Sequence, residues 1–213
     1  IDTFRAIKAE IDNVLRALRL HALLDSDVHY ASVARQFNRL AFDGKASPQQ
    51  AADFIYALSQ SFHSSWRETK EGNIRLSRRP DPKPFSPKSR SLNRAAGLLK
   101  SASLRQVDFR EALNEAVAED LVFKDPPYLE ERNVHDPRGY SASRFSKSDL
   151  QDLEAQIFAK AASGVHIVFC WGTELSSDAF SNGNWTQVSR DYVWTTFPLT
   201  GPSHQPAPEQ RQT

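Results

Sequence analysis

Pro126 and Pro127 impose the firmest constraint on how this chain folds. They follow at once on the apolar run Leu121-Val122-Phe123, in the stretch LVFKDPPYLEER. A proline ring fixes φ near about −65° and removes a backbone donor, so neither a helix interior nor a central strand runs through the pair. The run before it is therefore expected to be a short buried strand, ending at a stiff polar corner that begins with Asp125.

That corner has a chemical reading. Ligands of open α/β sheets sit beyond the carboxyl ends of the strands, which is where Asp125 stands if the run is a central strand. The two prolines hold nearby carbonyls in fixed directions, and Tyr128 adds a flat π-face with a polar tip. Rigid acceptors beside a stacking plate suit a planar base with an exocyclic amine, here read as an adenine taken out of its stack. The same four residues also read as an ordinary Asp-Pro turn followed by a packing tyrosine. Their position directly after an apolar strand favours the site.

The remaining periodicities divide the chain. IDTFRAIKAEIDNVLRALRLHALL places Phe4, Ile7, Ile11, Val14, Leu15 and Leu18 on one helical face. Two further helices are expected, broken at Asp43-Gly44, the second capped by Ser47 with Pro48 in its first turn. Ala52, Ile55, Tyr56 and Phe62 would line its inner face. Between Ser64 and Lys100 stand ten Lys and Arg against three acids, although the whole chain carries a net charge of only +1. WRETKEGNIRLSRR in that stretch suits a basic hairpin turning near Glu71-Gly72-Asn73. From Ser103 onward LRQVDF, LVFK, VHIVFCW and DYVWTTF read as strands, with REALNEAVAE and KSDLQDLEAQIFAKAASG as helices between them. Leu150, Leu153, Ile157 and Phe158 would face inward on the second of these helices. The alternation argues for a parallel, doubly wound sheet, and SNGNW reads as a turn.

Composition narrows the function classes. At 39% hydrophobic and 25% charged, the chain of 213 residues supports a packed core in one large domain or two small ones. Its single cysteine, Cys170, excludes an internal disulfide framework and a cysteine-built zinc site and fits a reducing, cytoplasmic setting. The six histidines show no metal-ligand spacing, so no metal is expected. No apolar run has the length of a membrane span, and no secretory signal opens the sequence. Because the sequence starts at Ile1 and contains no Met, it is read as a processed chain or part of a longer product.

Asp125-Pro126-Pro127-Tyr128 following a sheet strand resembles the catalytic motif of the Dam-type DNA adenine N6-methyltransferases. Other segments follow in the family's order. YASVARQFN resembles a family segment of the form Tyr, then Arg, then Phe-Asn, AADFIYALSQSFHSSWRETKEGNIRLSRR its target-recognition stretch, QVDF its donor-binding Asp-Phe pair, and RGYSASRFSKSDLQDL its loop and helix after the catalytic motif. The resemblance covers about Ile7 to Phe197. It implies a bacterial or phage enzyme that uses S-adenosylmethionine on double-stranded DNA, with Asp125, Pro126, Pro127 and Tyr128 catalytic. It implies donor contacts from Asp108, Phe109 and Asp125, and DNA contacts from Arg67, Lys70, Arg75, Arg78, Arg79 and Tyr140. One departure matters: there is no Gly-x-Gly anywhere, whereas the family cradles the donor with an N-terminal glycine-rich loop. A missing N-terminal segment, a partner chain or a decayed relative would each account for that.

The fold class expected is therefore α/β: a partial Rossmann-like methyltransferase sheet with a helical target-recognition region. Residues 1–100 would form that region with its basic hairpin, 101–197 the catalytic half, and 198–213 a disordered tail. An inactive DNA-binding relative is the alternative to the enzyme. A methyltransferase acting on RNA or protein is a third reading, because the same corner can hold other planar amines.

Overall fold

The protein is described by a computed structural model over residues 1–39, 47–68, 73–126, 145–171, 184–188 and 191–197. These residues fall into two compact units, one within Ile1–Gln106 and the other within Val107–Glu131 and Phe145–Thr213.

The first unit is built on α1 (Asp2–Leu24), α2 (Asp27–Arg39), α3 (Pro48–Gln60) and α4 (Ser89–Leu99). The apolar stripe of α1 behaves as its spacing predicts: Ile7, Val14, Leu15 and Leu18 are buried. Phe4 departs from it and is 54% exposed, because it lies within the first turn, beyond the covered part of the stripe. Across from α1, Ala51, Ala52, Tyr56 and Ala57 of α3 fill the same core with Tyr30 and Val33 of α2 and with Phe85. Each large side chain buried there is worth about 1.5–3 kcal/mol. Ser47 caps α3 by accepting from the Gln50 amide, with Pro48 in the first turn.

Phe62, expected on the inner face of α3, is instead 51% exposed. The helix ends at Gln60, and the chain turns through Phe62–Ser64 with His63 and Ser64 at φ 55° and 50°. Left-handed backbone at two consecutive non-glycine residues costs about 1–2 kcal/mol each. The turn is held by the Phe62 amide donating to the Ser77 carbonyl at 2.7 Å and by Ser61 Oγ donating to the Leu58 carbonyl. It leads into a short antiparallel pair, β1 (Arg67–Glu68) and β2 (Ile74–Arg75), with Arg67 opposite Arg75. Helix α4 was not expected. The prolines at 80, 82, 84 and 87 all precede it and leave Ser89 onward free to coil.

The second unit is a four-stranded sheet with two helices: α5 (Phe109–Glu115), β3 (Leu121–Lys124), α6 (Lys147–Ala162), β4 (His166–Trp171), β5 (Asn184–Val188) and β6 (Asp191–Thr195). The strand order is β3-β4-β6-β5. β3 and β4 run parallel, but β6 is antiparallel to both β4 and β5. The expected all-parallel sheet is thus mixed: β5 ends at Val188 directly opposite Asp191, where β6 begins, and strands so close in sequence pair antiparallel. Of SNGNW, read as a turn, Asn184 and Trp185 lie in β5, while residues 181–183 lie outside the described residues.

Leu113, Leu150, Leu153, Ile157, Val165, Ile167, Phe169 and Trp194 form this unit's core, with Phe158 packed on its margin. A capping box, Ser146 with Asp149, starts α6, and Gly164 at φ 91° turns the chain from α6 toward β4. LRQVDF is not a strand: residues up to Asp108 are irregular, and α5 begins at Phe109 because the Asp108 side chain caps it. LVFK is a strand but not a buried one. β3 pairs only with β4 among the described residues, and Leu121 and Phe123 are each 65% exposed. Side chains alternate along a strand, so Val122 and Lys124 share the other, half-buried face.

Candidate active site

The parallel pair places the corner. β3 and β4 are in register from Leu121 opposite His166 to Lys124 opposite Phe169, so both carboxyl ends lie at the same rim of the sheet. Asp125 follows immediately and is exposed, and Pro126 is half-buried. An acid at that position can accept hydrogen bonds from a ligand arriving at the rim. Pro127, Tyr128 and Tyr140 lie outside the described residues.

Asp108 and Phe109 stand in the same unit. Asp108 Oδ1 accepts from the Arg110 amide at 2.9 Å and caps α5, while its side chain stays 57% exposed. A carboxylate offers about four acceptor positions, so the cap leaves room for hydroxyl or amine donors. Phe109 packs edge-on against Phe145, ring centroids 6.1 Å apart, and carries the Arg110 guanidinium over its face at 4.3 Å. Lys124 links the two motifs electrostatically. Burial pushes its ammonium below the usual lysine range, and the negative charge of Asp108 opposes that shift. The acid of the Asp-Phe pair therefore acts on the residue that immediately precedes Asp125.

Arg110 is the residue that the sequence reading missed. Nη2 donates to Asp149 Oδ1 at 2.8 Å and to Asp152 Oδ2 at 2.7 Å, and Nη1 lies 3.4 Å from Asp108 Oδ2. Asp149 is shared. Its Oδ2 accepts from the Ser146 amide at 2.9 Å, and its carboxyl is held well below the usual range, first by Arg110 and then by Ser146. The signal was present as acids three apart on α6, Asp149 and Asp152, which face one way on a helix.

The basic residues lie in the helical unit, in different circumstances. Arg75, on β2, is exposed. Arg78 is engaged internally: Nη2 donates to Asp25 at 3.2 Å, and the guanidinium sits 5.3 Å over the Tyr30 ring. Its Nη1 lies 2.8 Å from Asp27 Oδ1, near enough for an ion pair without hydrogen-bond alignment. The amide of half-buried Arg79 donates to the Gln60 carbonyl at 3.1 Å. Lys70 and the Arg67 side chain lie outside the described residues.

The family model of the D12 class N6 adenine-specific DNA methyltransferases matches residues 1–186. The chain belongs to that family. The D12 match spans both the basic stretch and the Asp125 corner, and it makes the protein a DNA adenine N6-methyltransferase of a family that uses S-adenosylmethionine on a flipped-out base. This favours the enzyme over the inactive DNA-binding reading. A search of curated proteins returned no match. Among the described residues of this D12 methyltransferase, no helix is long and apolar enough to cross a membrane.

Proposed function

We propose that this chain methylates adenine in double-stranded DNA through the corner Asp125 to Tyr128, with Asp108 and Phe109 holding the donor. The observation that carries the reading is the exposed carboxylate of Asp125 at the carboxyl end of a parallel strand pair. Adenine N6 is a weak nucleophile because its lone pair is delocalised into the ring. The Asp125 carboxylate and the Pro126 carbonyl accept its two amine hydrogens and draw the nitrogen toward a tetrahedral geometry. Fixed acceptors of this kind work by positioning and by stabilising charge that develops in the transition state. Extruding the base costs a few kcal/mol, and stacking on Tyr128 returns about 1–3 kcal/mol.

S-Adenosylmethionine, when bound, supplies an electrophilic methyl on its sulfonium. The residues present fit its adenosine half: the exposed Asp108 carboxylate retains acceptor capacity, and the Phe109 ring gives an apolar surface beside it. Asp125 serves both ligands from the rim. Arg67, Lys70, Arg75, Arg79 and Tyr140 are assigned to the DNA side, with Arg75 foremost because its side chain is exposed, while Arg78 is held by Asp25 and supports the helical unit instead. Backbone phosphates take most such contacts, and base edges supply the specificity.

The test is incubation of the protein with isotopically labelled donor and duplex oligonucleotides, followed by nucleoside mass spectrometry. Labelled N6-methyl-2′-deoxyadenosine confined to adenine-containing duplex supports the reading. Label on single-stranded RNA or on protein, with none on DNA, would overturn it.

A further inference from the structure

We propose that Arg110 is a positioning residue for donor binding, setting the Asp108-Phe109 pair by tying it to the first turn of α6. The inference rests on the proposed donor role of Asp108 and adds a residue that this role does not include. Its basis is geometric. One guanidinium reaches acids on both sides: Asp108 at the start of α5, and Asp149 with Asp152 on α6. The same group lies on the Phe109 ring, so both residues of the pair are braced by one side chain.

The second anchor is as informative as the first. Asp149 is also the reciprocal partner of Ser146 in the capping box that starts α6. Ser146 is the N-cap of α6, the first helix after the Asp125 corner among the described residues. Arg110 thus couples the orientation of Asp108 to the capped start of α6. Lysine cannot reproduce the arrangement, because its point charge lacks the planar fork that reaches several carboxylates at fixed angles. The guanidinium is partly exposed, so its contribution to global stability is small and its effect on orientation is the quantity to read.

Arg110→Ala, Arg110→Lys and Asp108→Ala are compared with the parent protein. Calorimetric titration of S-adenosylhomocysteine gives Kd, steady-state methylation gives kcat and the donor KM, and thermal melting gives Tm. Arg110→Ala is expected to raise Kd and donor KM about tenfold, as for loss of a charged hydrogen bond, with kcat at saturating donor within about threefold. Both Arg110 variants should melt close to the parent Tm, and Arg110→Lys should not restore the affinity. If Arg110→Ala lowers the Tm while Kd stays within about twofold, Arg110 is only a structural clamp and the inference is overturned. If Asp108→Ala weakens donor binding and neither Arg110 variant does, the inference fails while the donor role of Asp108 stands. If Asp108→Ala itself leaves Kd unchanged, that role fails and takes the inference with it.

Discussion

His21 Nε2 lies 3.0 Å from Asp53 Oδ1 in the core of the helical unit, and Nδ1 of the same ring lies 2.9 Å from His29 Nε2. Tyr56 stacks on His21 with the rings 3° from parallel and donates to Asp25 Oδ1 at 2.8 Å. A polar chain thus threads α1, α2 and α3 where the sequence predicts mainly apolar packing. Its members are matched closely enough that one extra proton disturbs them.

That matching predicts a pH dependence. His29 is held below the ordinary histidine value, chiefly by burial and then by His21, while Asp25 and Asp53 pull it upward and Arg78 downward. The unfolded chain therefore binds more protons at His29 than the folded one does, and stability rises with pH through this window. The stabilisation is complete above about pH 6.5 and is lost as pH falls below it. Urea melts between pH 5 and pH 8 should show this slope, and His29→Gln should flatten it.

Asp125→Ala should lower methyl transfer about a hundredfold or more while leaving the thermal melt unchanged, since the side chain is exposed. Single-turnover methylation beside a melting curve checks both halves. Wild-type turnover would remove Asp125 from the chemistry.

Arg75 and Arg78 should separate. Arg75→Glu should weaken DNA binding and reduce the dependence of log K on log salt by about one phosphate contact. Arg78→Ala should instead destabilise the helical unit by about 3 kcal/mol, because the largely covered Asp25 carboxylate, 12% exposed, loses its charged partner. Fluorescence anisotropy across a salt series and chemical denaturation distinguish the two.

Ile157→Ala should cost about 2–5 kcal/mol, because the side chain is fully buried in the sheet unit's core and leaves a cavity there. Denaturant unfolding measures it, with Gln151→Ala on the exposed face of α6 as the near-neutral comparison.

How much of this was legible follows from which forces act locally. The stripe of α1, the Ser47 cap and the inner face of α6 are short-range patterns, and each was readable from spacing alone. The direction of β6 and the edge position of β3 depend on partners distant in sequence, which periodicity does not carry. Asp108 looked like the end of a strand because QVDF is β-prone, whereas its side chain makes it a helix cap. Arg110 escaped notice because a single arginine beside a motif has no pattern of its own. Its meaning lies in two acids about forty positions away, with separations of 39 and 42. The Arg78 ion pair, reaching back 53 positions to Asp25, was hidden for the same reason.

Among the described residues β3 borders the sheet, with a practical outcome for solution behaviour. Two copies meeting β3 to β3 can merge their sheets through main-chain pairing, with Leu121 and Phe123 supplying greasy contact along the seam. Light scattering should therefore register particle growth as the protein is concentrated, and a Phe123→Lys substitution should suppress it by placing like charges across that seam.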